Sequence, residues 1–279
     1  MNVLVTGAYG RCGTALIDHL HDRDGYNFTY YNRSDRPDNH PYGGYDTIVG
    51  NITDAVKLQA ASEKQDAMVH MAAYPSPTGD WGDIFEPNII GMYNALEVAR
   101  KEEIKSVVFL SSNHVVGKYE SEHAPDLYGR DYSLVVDHRD PVRPDSYYGV
   151  SKSFGEDLGR YYVETYEYPQ RFYSLRTGTV NMPKYDHPYG DAESAVDNDN
   201  FEQGSSEYEQ EVARMKCTWQ SRRDFAHQVD CCLIDSSVEY GVFFGVSNNR
   251  RRWFDLEHAR SQINYDPQDD GEEWDGPPS

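Results

Sequence analysis

Asn2-Val3-Leu4-Val5-Thr6-Gly7-Ala8-Tyr9-Gly10-Arg11-Cys12-Gly13, running on into Thr14-Ala15-Leu16-Ile17-Asp18-His19-Leu20, decides the fold. Residues 2–6 are a short apolar run, the pattern of a buried strand. Gly7, Gly10 and Gly13 follow at a G-x-x-G-x-x-G spacing, and an amphipathic helical pattern opens directly afterwards. Glycines at those points permit a tight turn and let backbone N–H groups approach a pyrophosphate. They also let the helix pack close to the strand, and its N-terminus adds a positive dipole end. A strand, glycine turn and helix at the head of an alternating chain predict a doubly wound parallel α/β sheet.

Outward from that turn, Tyr26-Asn27-Phe28-Thr29-Tyr30-Tyr31 reads as the second strand. A chain preferring NAD carries an acidic residue at the end of this strand, where it bonds the ribose 2′-OH. Here Asn32-Arg33-Ser34 comes instead, and an arginine with short polar neighbours suits a 2′-phosphate. NADP is therefore the expected cofactor, with NAD possible. Asp46–Val49 reads as a third strand, after which Asn51 and Ile52 fall where an adenine is edged. The fourth strand, from Ala67, ends in Met71-Ala72-Ala73, small enough to let a dinucleotide pass. Tyr74-Pro75-Ser76-Pro77 is a loop expected on the substrate side, and a long amphipathic helix over about 81–103 carries Asn88. The fifth strand, 106–111, runs into Ser112-Asn113-His114, and ligands of open parallel sheets sit beyond such carboxyl ends.

Residues 118–145 read as a polar loop and 146–167 as a helix; 171–176 is a sixth strand, followed by Thr177-Gly178-Thr179. Between 184 and 211 the chain turns acidic with little apolar periodicity and reads as a loop, an insertion or a lid. A helix over 218–235, a strand over 240–246 and a short helix over 254–263 close the chain before an acidic tail expected to fray. The division expected is a dinucleotide-binding part over 1–177, small substrate-cap elements over 178–265 and a tail over 266–279.

Ser146-Tyr147-Tyr148-Gly149-Val150-Ser151-Lys152 sets a tyrosine and a lysine four residues apart on a helix, hence on one face. A phenol holds its proton to about pH 10. An adjacent ammonium favours the phenolate, so Tyr148 becomes a candidate general base for a hydroxyl proton.

Composition narrows the field. Lys and Arg number 26 against 47 Asp and Glu, a formal charge of −21. Nucleic acid and anionic membranes both demand a basic footprint and are excluded as partners. Carboxylates spread along the whole chain, with arginine outnumbering lysine, match a halophile surface. Salt screens the mutual repulsion of such a surface, so stability is expected to rise with KCl. No apolar run reaches the roughly 20 residues of a membrane span. The N-terminus shows no signal-peptide pattern, and Cys12, Cys217, Cys231 and Cys232 lack metal-site spacing. A reduced, cytoplasmic protein without a metal is expected.

TGAYGRCG (6–13), SSNHVVG (111–117) and YYGVSK (147–152), in that order, resemble the extended short-chain dehydrogenases/reductases over nearly the whole chain. NIIGMYNALEVAR (88–100), RPDSYYGVSKSFGEDL (143–158) and ARMKCTW (213–219) look most like the uronate dehydrogenases and the haloarchaeal aldose 1-dehydrogenases, of which L-arabinose is one substrate. The resemblance implies a Rossmann-type domain and oxidation of a sugar's anomeric hydroxyl to a lactone. It implies Tyr148 as base, Lys152 as its partner and a bond to the nicotinamide ribose, and Ser112 at the substrate oxygen. Gly7, Tyr9, Gly10, Arg11, Cys12, Gly13, Asn32, Arg33, Asn51, Ile52, Met71, Ala72, Ala73 and Asn88 would serve the cofactor. Ser76, Asn113, His114, Thr179 and Arg214 would face the sugar, Arg214 as a two-pronged holder of a carboxylate.

The departures are Asn32-Arg33 in place of the acid, Pro75 where a serine is usual, and the acidic stretch ahead of Arg214; they leave a neutral aldose as the alternative to a uronate. A nucleotide-sugar epimerase or dehydratase on the same fold, and a dinucleotide-binding regulator without catalysis, are the rival readings. The long helices 81–103 and 146–167 suggest a homo-oligomer.

Overall fold

Asn2–Thr6 forms strand β1, with Val3 and Val5 packing on one side of the sheet and Leu4 on the other. Period-two alternation sends successive side chains to opposite faces, and here both faces are covered. The computed structural model describes residues 1–278. Seven strands, all paired in parallel, lie in the order β3-β2-β1-β4-β5-β6-β7.

In chain order, β1 leads into helix α1 (Arg11–Leu20), β2 (Asn27–Asn32), β3 (Thr47–Val49), α2 (Ala55–Ser62) and β4 (Ala67–His70). Then come α3 (Trp81–Ile84), α4 (Gly91–Lys101), β5 (Ser106–Leu110), α5 (Gly117–His123), α6 (Tyr147–Thr165) and β6 (Arg171–Thr177). Helices α7 (Gly190–Asp197), α8 (Ser206–Thr218) and α9 (Arg222–Ile234), strand β7 (Tyr240–Gly245) and α10 (Glu257–Ile263) complete the chain. Buried residues of α1 and α9, including Leu16, Phe225 and Val229, fill one side of the sheet. Leu58, Leu96 and Tyr162 of α2, α4 and α6 fill the other. No helix among the described residues is long and apolar enough to cross a membrane.

The strand order reverses between β1 and β4, and a crevice opens there at the carboxyl edge. Gly7 holds it tight. Its φ is +74°, and a Cβ there would stand 2.8 Å from the Ala72 nitrogen. At Gly13 a Cβ would meet the Ala8 carbonyl oxygen at 2.3 Å, so α1 sits on the turn with no room for a side chain.

Four expectations need correction. The helix expected over 81–103 is interrupted: Phe85–Ile90 widens into a π turn between α3 and α4. Pro87 lies in that turn, and a proline in a helix interior has no N–H to continue the ladder. The polar loop 118–145 carries α5 and a 3-10 turn at Asp126–Tyr128.

The stretch 184–211 is not structureless, since it contains α7 and the start of α8. Tyr189, Ala192 and Val196 recur at helical spacing among the acids and pack on Tyr208 and Val212 in a small separate cluster. Ser205 caps α8 by accepting from the Tyr208 N–H, and Glu207 and Glu209 sit favourably in its first turn. The acidic tail is docked rather than frayed. Asp269 pairs with Arg223 at 2.6 Å, Asp270 with Arg250 at 2.5 Å, and Glu272 with Arg251 at 2.5 Å. Trp274 stacks on His187 with ring centroids 5.5 Å apart. Acidity read along the sequence marks solvation only when no arginines wait in the fold, and these do.

Candidate active site

The crevice at the switch point is a cleft of about 990 Å³. Gly7, Gly10 and the first turn of α1 form its floor. The first N–H groups of a helix lack intrahelical partners. No acidic residue stands in that turn of α1, and Gly10 caps it without a side-chain bond. Within the chain a Cβ on Gly10 would meet only the Gly7 carbonyl oxygen, at 3.4 Å, so the space its missing side chain leaves opens into the cleft. These features fit a pyrophosphate. Arg11, Cys12 and Gly13 line the same floor. Burial pushes the Cys12 thiol up to about 12, so it is a packing group there and not a thiolate.

At one end the cleft is walled by Asn32, Arg33, Ser34, Arg36, Asn51 and Ile52. Asn32 donates from its amide to the Ser34 carbonyl at 2.7 Å. Arg33 is exposed. Arg36 lies 5.3 Å over the Tyr9 ring and donates to the Tyr9 carbonyl at 3.4 Å, while its Nε is buried without a partner. Reading along the strand stops at the first three residues after it, so Arg36 was missed; the loop folds it back onto Tyr9. Two guanidiniums face this end and no carboxylate does.

The middle of the cleft collects Met71, Ala72 and Ala73 from the end of β4, Ser112, Asn113 and His114 after β5, and Tyr148 from α6. Ser146 caps α6 by accepting from the Gly149 N–H, which fixes where Tyr148 emerges. Tyr148 is 9 % exposed and Lys152 3 %. Lys152 stands behind the phenol, with Nζ 5.5 Å from its ring centroid, and donates to the Leu110 carbonyl at 2.7 Å. Burial raises the phenol well above its ordinary range, with Ser112 pulling the other way. Burial also pushes the Lys152 ammonium down to about 8. In the protein by itself, then, desolvation dominates at the phenol, and its direction is opposite to the one that sequence spacing suggests.

His114 is held by Asp145, Nδ1 to Oδ2 at 2.7 Å, and its ring edges onto Tyr148 with centroids 5.8 Å apart. The loop before α6 brings Asp145 under Gly117, where a Cβ would meet its carboxylate at 2.0 Å. Asn113 is 4 % exposed, and its amide nitrogen has no partner. Asn88 does not face the cleft. Its Oδ1 accepts from the Tyr74 N–H at 2.7 Å and its Nδ2 donates to Ser151 Oγ at 2.9 Å, which ties the 74–77 loop to α6. Pro75, Ser76, Thr179 and Arg214 line the remaining end, joined by Asp191. No group of His, Cys, Asp or Glu suited to a metal occurs among the described residues.

Sequence comparison matches residues 3–234 to the NAD dependent epimerase/dehydratase family. The chain is 31% identical over 276 residues to the NAD-dependent glucose-6-phosphate dehydrogenase of Haloferax volcanii, covering 98% of this chain and 95% of that one. It is also 31% identical to the L-arabinose 1-dehydrogenase (NAD(P)(+)) of the same organism, with 96% of each chain covered. Among solved structures, the glucuronic acid dehydrogenase of Chromohalobacter salexigens superposes with a TM-score of 0.75 at 27% identity, covering 98% of this chain and 86% of that one.

Proposed function

The chain belongs to the NAD dependent epimerase/dehydratase family, and from that premise we propose that it oxidises the anomeric C1 hydroxyl of a free sugar to the lactone. The observation that carries this reading is the convergence of Ser112 and Tyr148 beyond the carboxyl end of β5, in one cleft with the glycine turn and with the buried Lys152 behind the phenol. Gly10 and the α1 N-terminus would hold the dinucleotide, which would supply the hydride acceptor. Tyr148, as phenolate, takes the C1 hydroxyl proton, and Ser112 orients that oxygen. Lys152 keeps a positive charge behind the phenol and favours its ionised form, and the proton taken from the sugar leaves Tyr148 to solvent through the open cleft before the next turnover. His114, fixed by Asp145, and Asn113 offer the sugar hydroxyls a rigid set of partners. The positions of two relatives with sugar-dehydrogenase names, each matched over nearly the full chain, support the same chemistry.

The cofactor reading is NADP over NAD. Arg33 and Arg36 line the adenosine end of the cleft and Asp35 between them does not, an arrangement that suits a 2′-phosphate. Free sugars supplied with NADP should give net reduced cofactor and a lactone, whereas an epimerase regenerates its cofactor and a regulator turns over nothing. In the same assay kcat/KM for NADP should exceed that for NAD by about tenfold or more, and Arg36→Ala should erase most of the difference, since a charge-assisted bond to phosphate contributes about 1.5–3 kcal/mol. An unchanged ratio in that variant would remove Arg36 from the cofactor site.

The four cysteines are all free, in keeping with a reducing cytoplasmic setting. Trp81, Phe85, Tyr147 and Val150 stand exposed on the α3 and α6 surface, the face through which two copies would pair.

A further inference from the structure

The end of the cleft beyond Tyr148 is where a substrate's distal substituent would sit, and Arg214 lines it. That guanidinium is already engaged. Its Nε donates to Glu120 Oε1 at 2.8 Å and its Nη1 to Glu211 Oε1 at 3.2 Å. Glu120 is itself fixed, 8 % exposed and accepting from the Tyr128 hydroxyl at 2.9 Å. A guanidinium grips a carboxylate or phosphate with two parallel N–H groups, either Nε with Nη2 or Nη1 with Nη2. The Nε donor of the first fork is spent inside the protein, and Glu211 engages Nη1 of the second, so the guanidinium's charge is already met by two carboxylates before a ligand arrives.

The charge balance points the same way. Arg214 is outnumbered by Glu120, Glu211 and Asp191, the last of which lines the cleft. An anionic substituent there meets the Asp191 carboxylate beside an Arg214 whose charge is already paired; a hydroxyl finds an acceptor in Asp191. The complementary donor is also present, the buried Asn113 amide nitrogen that has no protein partner.

Resting on the C1-oxidation reading, we propose that the substrate is a neutral aldose with neither carboxylate nor phosphate, and that Glu120 and Glu211 enforce this by occupying Arg214. The reading separates this chain from the acts named for two of the proteins it resembles, on glucuronic acid and on glucose 6-phosphate.

The test is a kcat/KM panel with NADP at high KCl: L-arabinose, D-xylose, D-galactose and D-glucose against D-glucuronate, D-galacturonate and glucose 6-phosphate. The neutral sugars should lead the anionic ones by about a hundredfold, the scale on which like charges brought together discriminate against a wrong partner. Glu211→Ala frees Nη1 and removes one charge, and should narrow the gap by about tenfold, chiefly through KM of the anionic sugars. Glu120→Gln is the second variant, with its melting curve taken alongside to confirm folding. A wild-type preference for a uronate or sugar phosphate overturns this inference and leaves C1 oxidation standing, because lactone and reduced cofactor still form. A gap unmoved in both folded variants overturns the role given to the two glutamates. No reduction of cofactor with any of the sugars overturns both readings together.

Discussion

Tyr148→Phe should lower kcat by about three orders of magnitude, within the range that a positioned general base supplies. The ring and its packing against His114 survive this change, so dinucleotide binding and the melting temperature should stay near those of the parent. The pH profile gives a second readout. Base catalysis needs the phenolate, and burial raises the phenol, so oxidation should quicken as the pH is raised. Lys152 works against that trend, since burial brings its ammonium down to about 8 and its supporting charge is lost above that pH. The two groups share one buried site, and the profile reports the pair rather than either residue. In Tyr148→Phe the rise with pH should vanish along with the rate. A variant that kept near-parental turnover, or kept the alkaline rise, would take Tyr148 out of the reaction.

The second large effect lies one helical turn beyond Lys152. Glu156 and Arg176 form a two-pronged pair, Oε1 to Nε at 3.0 Å and Oε2 to Nη2 at 2.8 Å, with Ser111 donating to Oε1 at 2.6 Å. Both residues are nearly sealed from solvent, at 4 % and 3 % exposure. The pair joins α6 to β6 and to the end of β5, one turn along α6 from Lys152. Glu156→Ala leaves a buried guanidinium without its partner, a loss of about 3–5 kcal/mol. In a chain of this size that corresponds to a drop of roughly 10 °C in melting temperature. Replacing both residues with apolar groups of similar volume should recover much of the loss, because a buried pair stabilises little beyond its own desolvation. A melting point unchanged in Glu156→Ala would show that the pair contributes nothing; failure of the double replacement to recover would show that Ser111 and Phe244, which stacks 5.5 Å from the Arg176 guanidinium, need those charges for their own packing.

Sequence by itself determined the parts whose physics is local. The turn from Val5 to Gly13 prescribes strand, phosphate cradle and helix, because the close approaches at 7 and 13 leave no room for a Cβ and the φ of +74° at position 7 favours glycine. Tyr148 and Lys152 share a face because a helix repeats every 3.6 residues. Ser112 follows a strand and so lies at the sheet edge. Tertiary structure decided what those groups are worth. The small cluster of Tyr189, Ala192, Val196, Tyr208 and Val212 turns an apparently solvated acidic stretch into two packed helices. The tail's carboxylates meet Arg223, Arg250 and Arg251 across the chain, and docking follows. Arg36, Asp145 and the Glu120–Arg214–Glu211 triad were unreadable because each depends on partners tens of residues away, such as Glu120 and Arg214, 94 apart. Burial likewise reversed the expected balance at the phenol, since desolvation is a property of the packed interior and not of spacing along a helix.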